Sequence, residues 1–343
     1  MQFTAAKTLE SSINAPAKTP APAIMFELAM GYWLSRCLYA VAEIGVADHI
    51  ADAPVSAADL TRSCGVDENA LRRVMKALSS RGIFEATEAG FAHSSLSLLL
   101  RSDHPQSIRA FARMIGMPAM WNSFGHIEHV VRTGERGSLK IDPEGIFHFF
   151  QHNPAQGALF NDAMEAKSRA AIHAVLGAYD FSYSSSVADV GGGKGHLVKA
   201  ILEVTPDVRG FLFDQAHVVS SVPASDRLQV VGGDFFTGGI PHSDLYLLME
   251  VIHDWDDEQA RTILKNIRAA ARPGARLLII ETLMPESSEA HVANALDIVM
   301  LVITGGRERT RNEHAALVES AGFPFKNVLP TQSSYSILEA VAV

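Results

Sequence analysis

The chain has 343 residues, 48% of them hydrophobic and 20% charged, with a formal net charge of −9. That length exceeds one ordinary core and suits two domains, or one domain with a large helical extension, while the composition excludes a disordered or fibrous chain. The acidic balance repels phosphate backbones, so a nucleic-acid partner would need a local basic face, and no Lys/Arg run supplies one.

Residues 1–20 mix Thr, Ser, Ala, Lys and Pro without an apolar core of signal-peptide length, which predicts a flexible tail and no secretion. The apolar stretch from Ile24 to Ile50 is broken by Glu27, Arg36 and Glu43, charges that a membrane span would not carry at those depths. It reads as a soluble helix or helix pair. Only Cys37 and Cys64 are present, too few for a disulfide framework or a zinc site, so a reducing, cytoplasmic setting is expected. The segment from Met25 through Val46 has few polar positions for a free surface, which predicts a homodimer built by the first hundred or so residues.

A first domain is expected over residues 21–110. Ser56 to Leu60 opens a short helix, Asp67 caps a second that runs to Ser80, and Ile83 to His93 reads as a hairpin, the order of a winged helix-turn-helix. Such a motif serves DNA binding or packing. Over residues 51–110 seven basic residues face seven acidic ones, which is no electrostatic footprint for DNA and favours packing.

Residues 111–180 read as a linking helical stretch rich in Met and aromatic residues. Periodicity does not separate a core face from a pocket face there. Met adapts its shape and aromatics supply area, so Met114, Met117, Met120, Trp121, Phe160 and Met164, with Met300 further on, are candidates to line a pocket for a flat apolar ligand. His126 and His129, and His148 and His152, have spacings that can hold metal on a helix, but no carboxylate or Cys stands at a companion spacing, and no metal is expected.

From residue 181 to 343 short apolar runs alternate with helical segments, the pattern of an open, largely parallel α/β sheet. Seven strands are predicted, near 187–190, 210–213, 228–231, 244–252, 276–282, 325–329 and 336–343. Between the first strand and its helix lies Val187-Ala-Asp-Val-Gly-Gly-Gly-Lys-Gly195, a turn that lets a ligand approach the backbone and the helix N-terminus. Glycines at first, third and fifth positions, Gly191, Gly193 and Gly195, depart from the first, third and sixth of a dinucleotide fingerprint. The second strand ends in Asp214, placed to accept both hydroxyls of a ribose. The third ends in Asp234, suited to accept from an adenine amino group, with Phe235 to pack beside the base. Each acid alone could be a helix cap; three such features in register make a nucleoside-binding edge.

The fourth strand leads to His253-Asp254-Trp255 on the edge where open α/β sheets bind ligands. With the glycine turn, this resembles the S-adenosylmethionine-dependent O-methyltransferases of the caffeate and hydroxyindole type, including bacterial enzymes that methylate natural products. The resemblance spans nearly the whole chain and implies a Rossmann-like, doubly wound, seven-stranded methyltransferase domain preceded by a mainly helical winged-helix dimerisation domain. It implies His253 as catalytic base, flanked by the carboxylates Glu281 and Glu308 of Ile279-Ile-Glu-Thr and Gly305-Gly-Arg-Glu-Arg-Thr310. It also implies Asp189, Gly191, Gly193, Gly195, Asp214 and Asp234 as cofactor contacts. Two departures stand out: the family's Phe-Asp-Leu-Pro-His is here Phe213-Asp-Gln-Ala-His217, and the adenine-contacting Lys of plant members is replaced by Met249.

The chemistry agrees with the resemblance. A phenol of pKa about 10 is a poor nucleophile at neutral pH, and a His can take its proton while a carboxylate holds the ring. Alignment of acceptor and methyl can contribute roughly 7 to 11 kcal/mol at its upper range. The expected function is methyl transfer from S-adenosylmethionine to a hydroxyl of an aromatic or enolic small molecule, leaving S-adenosylhomocysteine. The rival readings are a methyltransferase fold put to hydroxylation, decarboxylation or pericyclic chemistry, which the joint presence of His253, Glu281 and Glu308 disfavours, and a ligand-responsive winged-helix regulator, which the balanced charges disfavour.

Overall fold

The computed structural model describes residues 20–287 and 290–343. The tail expected over residues 1–20 therefore lies, apart from Pro20, outside the described residues. Helix α1, Ala21–Met30, buries none of its side chains and stops at Gly31; α2, Tyr32–Ile44, turns its later residues Val41 and Ala42 into a core and ends at Gly45, whose φ of 81° suits a left-handed cap. Ser56 and Asp67 accept the N–H groups of Asp59 and Ala70, at 3.1 and 2.8 Å, and so start α3, Ala57–Cys64, and α4, Glu68–Ser79. Strands β1, Phe84–Thr87, and β2, Gly90–His93, form the wing as an antiparallel hairpin. Leu60, Met75, Leu78 and Phe84, all nearly solvent-free, fill the core beneath it.

The chain then runs through α5, Ser95–Leu98; α6, Arg109–Gly116; α7, Pro118–Phe124; α8, Ile127–Thr133; and α9, Ile146–His152. The 25-residue α10, Pro154–Ala178, packs against α6 and α9 of the preceding stretch and against the helix His196–Val204 and the strand Tyr335–Val341 of the sheet domain. It is the element that ties the two halves of the chain together.

The remaining elements alternate as the sequence leads one to expect: β3, Ser186–Val190; α11, His196–Val204; β4, Arg209–Asp214; α12, Ala216–Val219; β5, Leu228–Gly232; β6, Leu245–Met249; α13, Asp257–Ala270; β7, Arg276–Thr282; α14, Val292–Ile303; α15, Arg311–Ser320; β8, Phe325–Pro330; and β9, Tyr335–Val341. The sheet order is β5-β4-β3-β6-β7-β9-β8, parallel through the first five, with β9 antiparallel to both neighbours. Successive residues of a strand serve opposite faces: Tyr246 and Leu248 pack under α13, and Leu245 and Leu247 under α11. Chain order reverses between β3 and β6, which opens a crevice at their carboxyl ends. Among the described residues no helix is long and apolar enough to cross a membrane.

One strand differs from expectation. Predicted to reach Ile252, β6 ends at Met249, because Glu250 has φ 55° and swings the chain out of the sheet. That bend carries Ile252 to Asp254 into a single tight turn above the crevice.

Candidate active site

The crevice holds a cavity of about 710 Å³ that runs from the glycine turn, past the bend after β6, to the faces of α6, α9, α10 and α14. Gly191 enters the turn at φ 72°, and a Cβ there would stand 2.8 Å from Val251, so both backbone freedom and close approach call for glycine. Behind the turn, Asp189 is buried and accepts the Val198 N–H at 3.3 Å; burial, with Asp214 adding to it, raises its carboxyl to about 7. Asp214 closes the turn, accepting from the N–H of Gly193 at 2.8 Å and of Gln215 at 2.6 Å, and its carboxylate faces the cavity. Burial pushes its pKa up against the pull of those two donors.

Asp189, Gly191, Gly193, Asp214 and Phe235 all border the cavity. Gly195 and Asp234 do not. Gly195 is spent as the cap of α11 at φ 76°, and Asp234 is exposed with Oδ1 accepting the Phe236 N–H at 2.9 Å, the capping use of a carboxylate after a strand.

His253 lies on the turn after the bend, 5% exposed and on the cavity wall. Its Nδ1 is 2.8 Å from Glu308 Oε1, and among the described residues Nε2 has no hydrogen-bond partner, with the carboxylate of Asp254 3.9 Å away. Only one of the two expected carboxylates reaches the ring. Glu281, at the end of β7, instead accepts the backbone N–H of His253 at 3.0 Å. Burial disfavours the charged ring, but the Glu308 hydrogen bond and the charges of Asp254 and Glu281 outweigh it and raise His253 to about 10. Burial also raises Glu281 to about 7 and Asp254 to about 6, in each case opposed by His253.

The run Gly305 to Thr310 wraps this turn. A Cβ on Gly306 would lie 2.0 Å from the His253 carbonyl oxygen, so only glycine lets the two backbones meet, and the next N–H, of Arg307, donates to that oxygen at 2.9 Å. Asp297 of α14 accepts the Glu308 N–H at 2.9 Å. Arg309, 1% exposed, donates to the carbonyls of Ile252 and Trp255 at 3.1 and 2.9 Å and to Asp257 at 2.8 Å. Sequence reasoning missed Arg309; its signal was a second Arg flanking the Glu of that run.

Met114, Met120, Phe160, Met164 and Met300 line the acceptor end of the cavity. Met117 and Trp121 lie off it. Met117 caps the start of α7 within the packed cluster of Ile146 and Phe150, and Trp121, one residue past Met120 and so about 100° around the helix, faces α2, where the Arg36 guanidinium sits 4.6 Å over its ring. Phe147, Phe150 and Trp255 complete the apolar wall. Glu250 accepts from Lys167 of α10 and from the Tyr335 hydroxyl at 2.7 Å. Three of the four paired histidines have other uses: His129 meets Glu135, His148 meets Asp142, and His152 Nδ1 meets the His148 carbonyl. Among the described residues no group of three or more His, Cys, Asp or Glu could hold a metal ion.

Two family models match the chain: an O-methyltransferase domain over residues 124–324 and an O-methyltransferase dimerisation domain over residues 26–103. The chain is 38% identical to phenazine O-methyltransferase PhzM of Lysobacter antibioticus over 95% of its own length and 98% of the relative's. It is 31% identical, over 88% of itself and 90% of the relative, to 8-amino-8-demethylriboflavin N,N-dimethyltransferase of Streptomyces davaonensis. Among solved structures it resembles the O-methyltransferase NcsB1 from neocarzinostatin biosynthesis, in complex with S-adenosylmethionine and 2-hydroxy-5-methyl naphthoic acid. The TM-score is 0.80 at 27% identity, covering 95% of this chain and all of that one.

Proposed function

The chain belongs to the O-methyltransferase family, and we propose that it methylates a hydroxyl of a flat aromatic or enolic small molecule, with S-adenosylmethionine as donor and His253 as the base. The observation that carries this reading is the placement of His253: its Nδ1 is taken by Glu308, and its ring borders a cavity whose one end is the glycine turn with Asp214 and whose other end is Met and Phe.

The residues present fit the donor. Asp214 offers an acceptor to ribose hydroxyls, Phe235 a ring beside a base, and the bare backbone at Gly191 a close approach. Bound there, S-adenosylmethionine supplies an electrophilic methyl on a positive sulfonium. His253 accepts the hydroxyl proton at Nε2 as the oxygen takes the methyl, and Glu308 holds the ring and balances the imidazolium that forms. Against burial, Glu308, Asp254 and Glu281 favour the charged ring in the ligand-free protein, so the base works only after that proton is shed. A positive sulfonium in the same cavity favours that loss. Met114, Met120, Phe160, Met164 and Met300 shape the acceptor site, and Glu281 fixes the backbone of His253.

We place the helical domain at residues 21–110, the linking and pocket helices at 111–180 and the catalytic domain at 181–343, with two chains joined through the first and the protein in the cytoplasm. The function is tested by offering the purified protein and S-adenosylmethionine a library of phenols, enols, aromatic amines and aliphatic alcohols and measuring S-adenosylhomocysteine release. Turnover of phenols or enols is expected. Turnover confined to amines would move the chain toward the chemistry named for the riboflavin relative, and turnover confined to aliphatic alcohols would defeat this picture of the pocket.

A further inference from the structure

His314, near the start of α15, is 0% exposed, and neither of its ring nitrogens has a hydrogen-bond partner among the described residues. Its Nε2 faces Glu281 Oε2 at 3.4 Å. That oxygen is also unpartnered, on a side chain equally cut off from solvent. Leaving two such groups unpaired in the interior is costly, and each is the nearest remedy for the other. Glu281's other oxygen holds the His253 N–H at 3.0 Å, so a line of contacts runs from His314 through Glu281 to His253.

We propose that His314 is a positioning residue for His253, acting through Glu281: its Nε2 and Glu281 Oε2 share one proton, and this lets Glu281 carry a negative charge beside the base. A neutral imidazole donates at Nε2 in one tautomer and accepts there in the other, so His314 satisfies Glu281 whether that carboxyl is ionised or protonated. The inference rests on the reading of His253 as the base.

The groups around the pair come from every element packed on it. Arg309, just before α15 and held by Asp257 of α13, and His253, on the turn after β6, both oppose a cation at His314, while Glu308 adds a like charge beside Glu281. Burial, Arg309 and His253 hold His314 down at about 3, with Asp257 opposing, so its ring stays neutral across the working range. Glu281, raised to about 7 by burial, is the member that changes charge. A neutral ring beside a carboxyl that titrates near neutrality is what a two-way proton partner requires.

The test titrates the His253 imidazole by NMR in ligand-free wild type, His314→Leu and His314→Asn, and records the pH profile of kcat for each. In His314→Leu, Glu281 loses its donor and stays protonated to higher pH, so His253 is expected to titrate about one unit or more lower. The acid limb of kcat should move down with it. The amide of His314→Asn can donate to the ionised carboxylate and is expected to return both toward wild type. Unchanged titration and profile in His314→Leu, with only a lower melting temperature, would reduce His314 to packing and overturn the proposal. If neither variant folds, nitrogen shifts of wild-type His314 decide: a neutral ring with its proton on Nε2 at pH 8 supports the shared proton, and a cationic ring overturns it. Full activity in His253→Ala would defeat the base reading alone, because the titration shift is measured without turnover.

Discussion

Substitution at His253 separates proton transfer from binding, because the residues proposed to hold the cofactor stand on other strands. His253→Gln is expected to cut kcat by about 100- to 10,000-fold while S-adenosylhomocysteine binds within a few-fold of wild type by calorimetry. Lost affinity with intact turnover would make the residue structural. Asp214→Ala should do the reverse: it removes a charged acceptor and unpins Gly193 and Gln215, costing roughly 1.5 to 3 kcal/mol of cofactor binding in the same calorimeter. The charge on His253 also couples to stability. Burial opposes it, but Glu308, Asp254 and Glu281 raise the folded pKa from 6.5 to about 10. A raised value stabilises the fold in full below the unfolded pKa, and that contribution fades as pH climbs through the folded one. The wild-type melting temperature should therefore fall more steeply than that of His253→Gln between pH 7 and 10, and parallel curves would mean that the imidazolium contributes nothing to the fold.

At the scale of elements, α7 decides between two uses of neighbouring side chains. Met120 points into the cavity and Trp121 toward Arg36 of α2, whose Nη1 also donates to the Gly116 carbonyl at 2.6 Å. Trp121→Ala is thus expected to lower stability by about 2 kcal/mol and leave the acceptor KM near wild type, whereas Met120→Ala should raise that KM. Chemical denaturation and steady-state kinetics read the two effects apart. Trp121 shows where sequence stops being informative: a run of Met and aromatics reveals that a helix is apolar, but on a seven-residue helix between a pocket and a neighbour it cannot show which side each residue serves. The strands were legible because their apolar runs are short and bounded, and Asp214 at the end of β4 stands where open sheets bind ligands, whereas Asp234 is spent as a cap. The exception, β6, keeps an apolar sequence through Val251 and Ile252 and ends only because Glu250 takes φ 55°, which no hydropathy pattern encodes. His253 was legible as a motif. Arg309 and His314 were not, since they reach the carbonyl of Ile252 and the carboxyl of Glu281, beside His253, only once α15 packs against the sheet.

For the whole molecule, the open question is what covers α1. Met25, Phe26 and Leu28 are 65%, 71% and 68% exposed, no residue of the helix is buried, and the match to a dimerisation domain begins at residue 26, within this helix. A run of large apolar side chains left in water is unfavourable by about 25 cal/mol per Å² and usually marks a partner. The later part of α2 is already buried in its own domain, so the expected contact is narrower than the whole apolar segment from Met25 through Val46. A second copy related by a two-fold axis would bring α1 against its equivalent or against the wing, and the acidic chain would tolerate this because the face itself carries only Glu27, paired with Arg81. Light scattering at micromolar concentration should give a dimeric mass. The double substitution Phe26→Asp and Leu28→Asp should give a monomer whose sheet core is intact, because neither side chain touches that core. A wild-type monomer, or a dimer that survives both charges, would place the interface elsewhere on the chain.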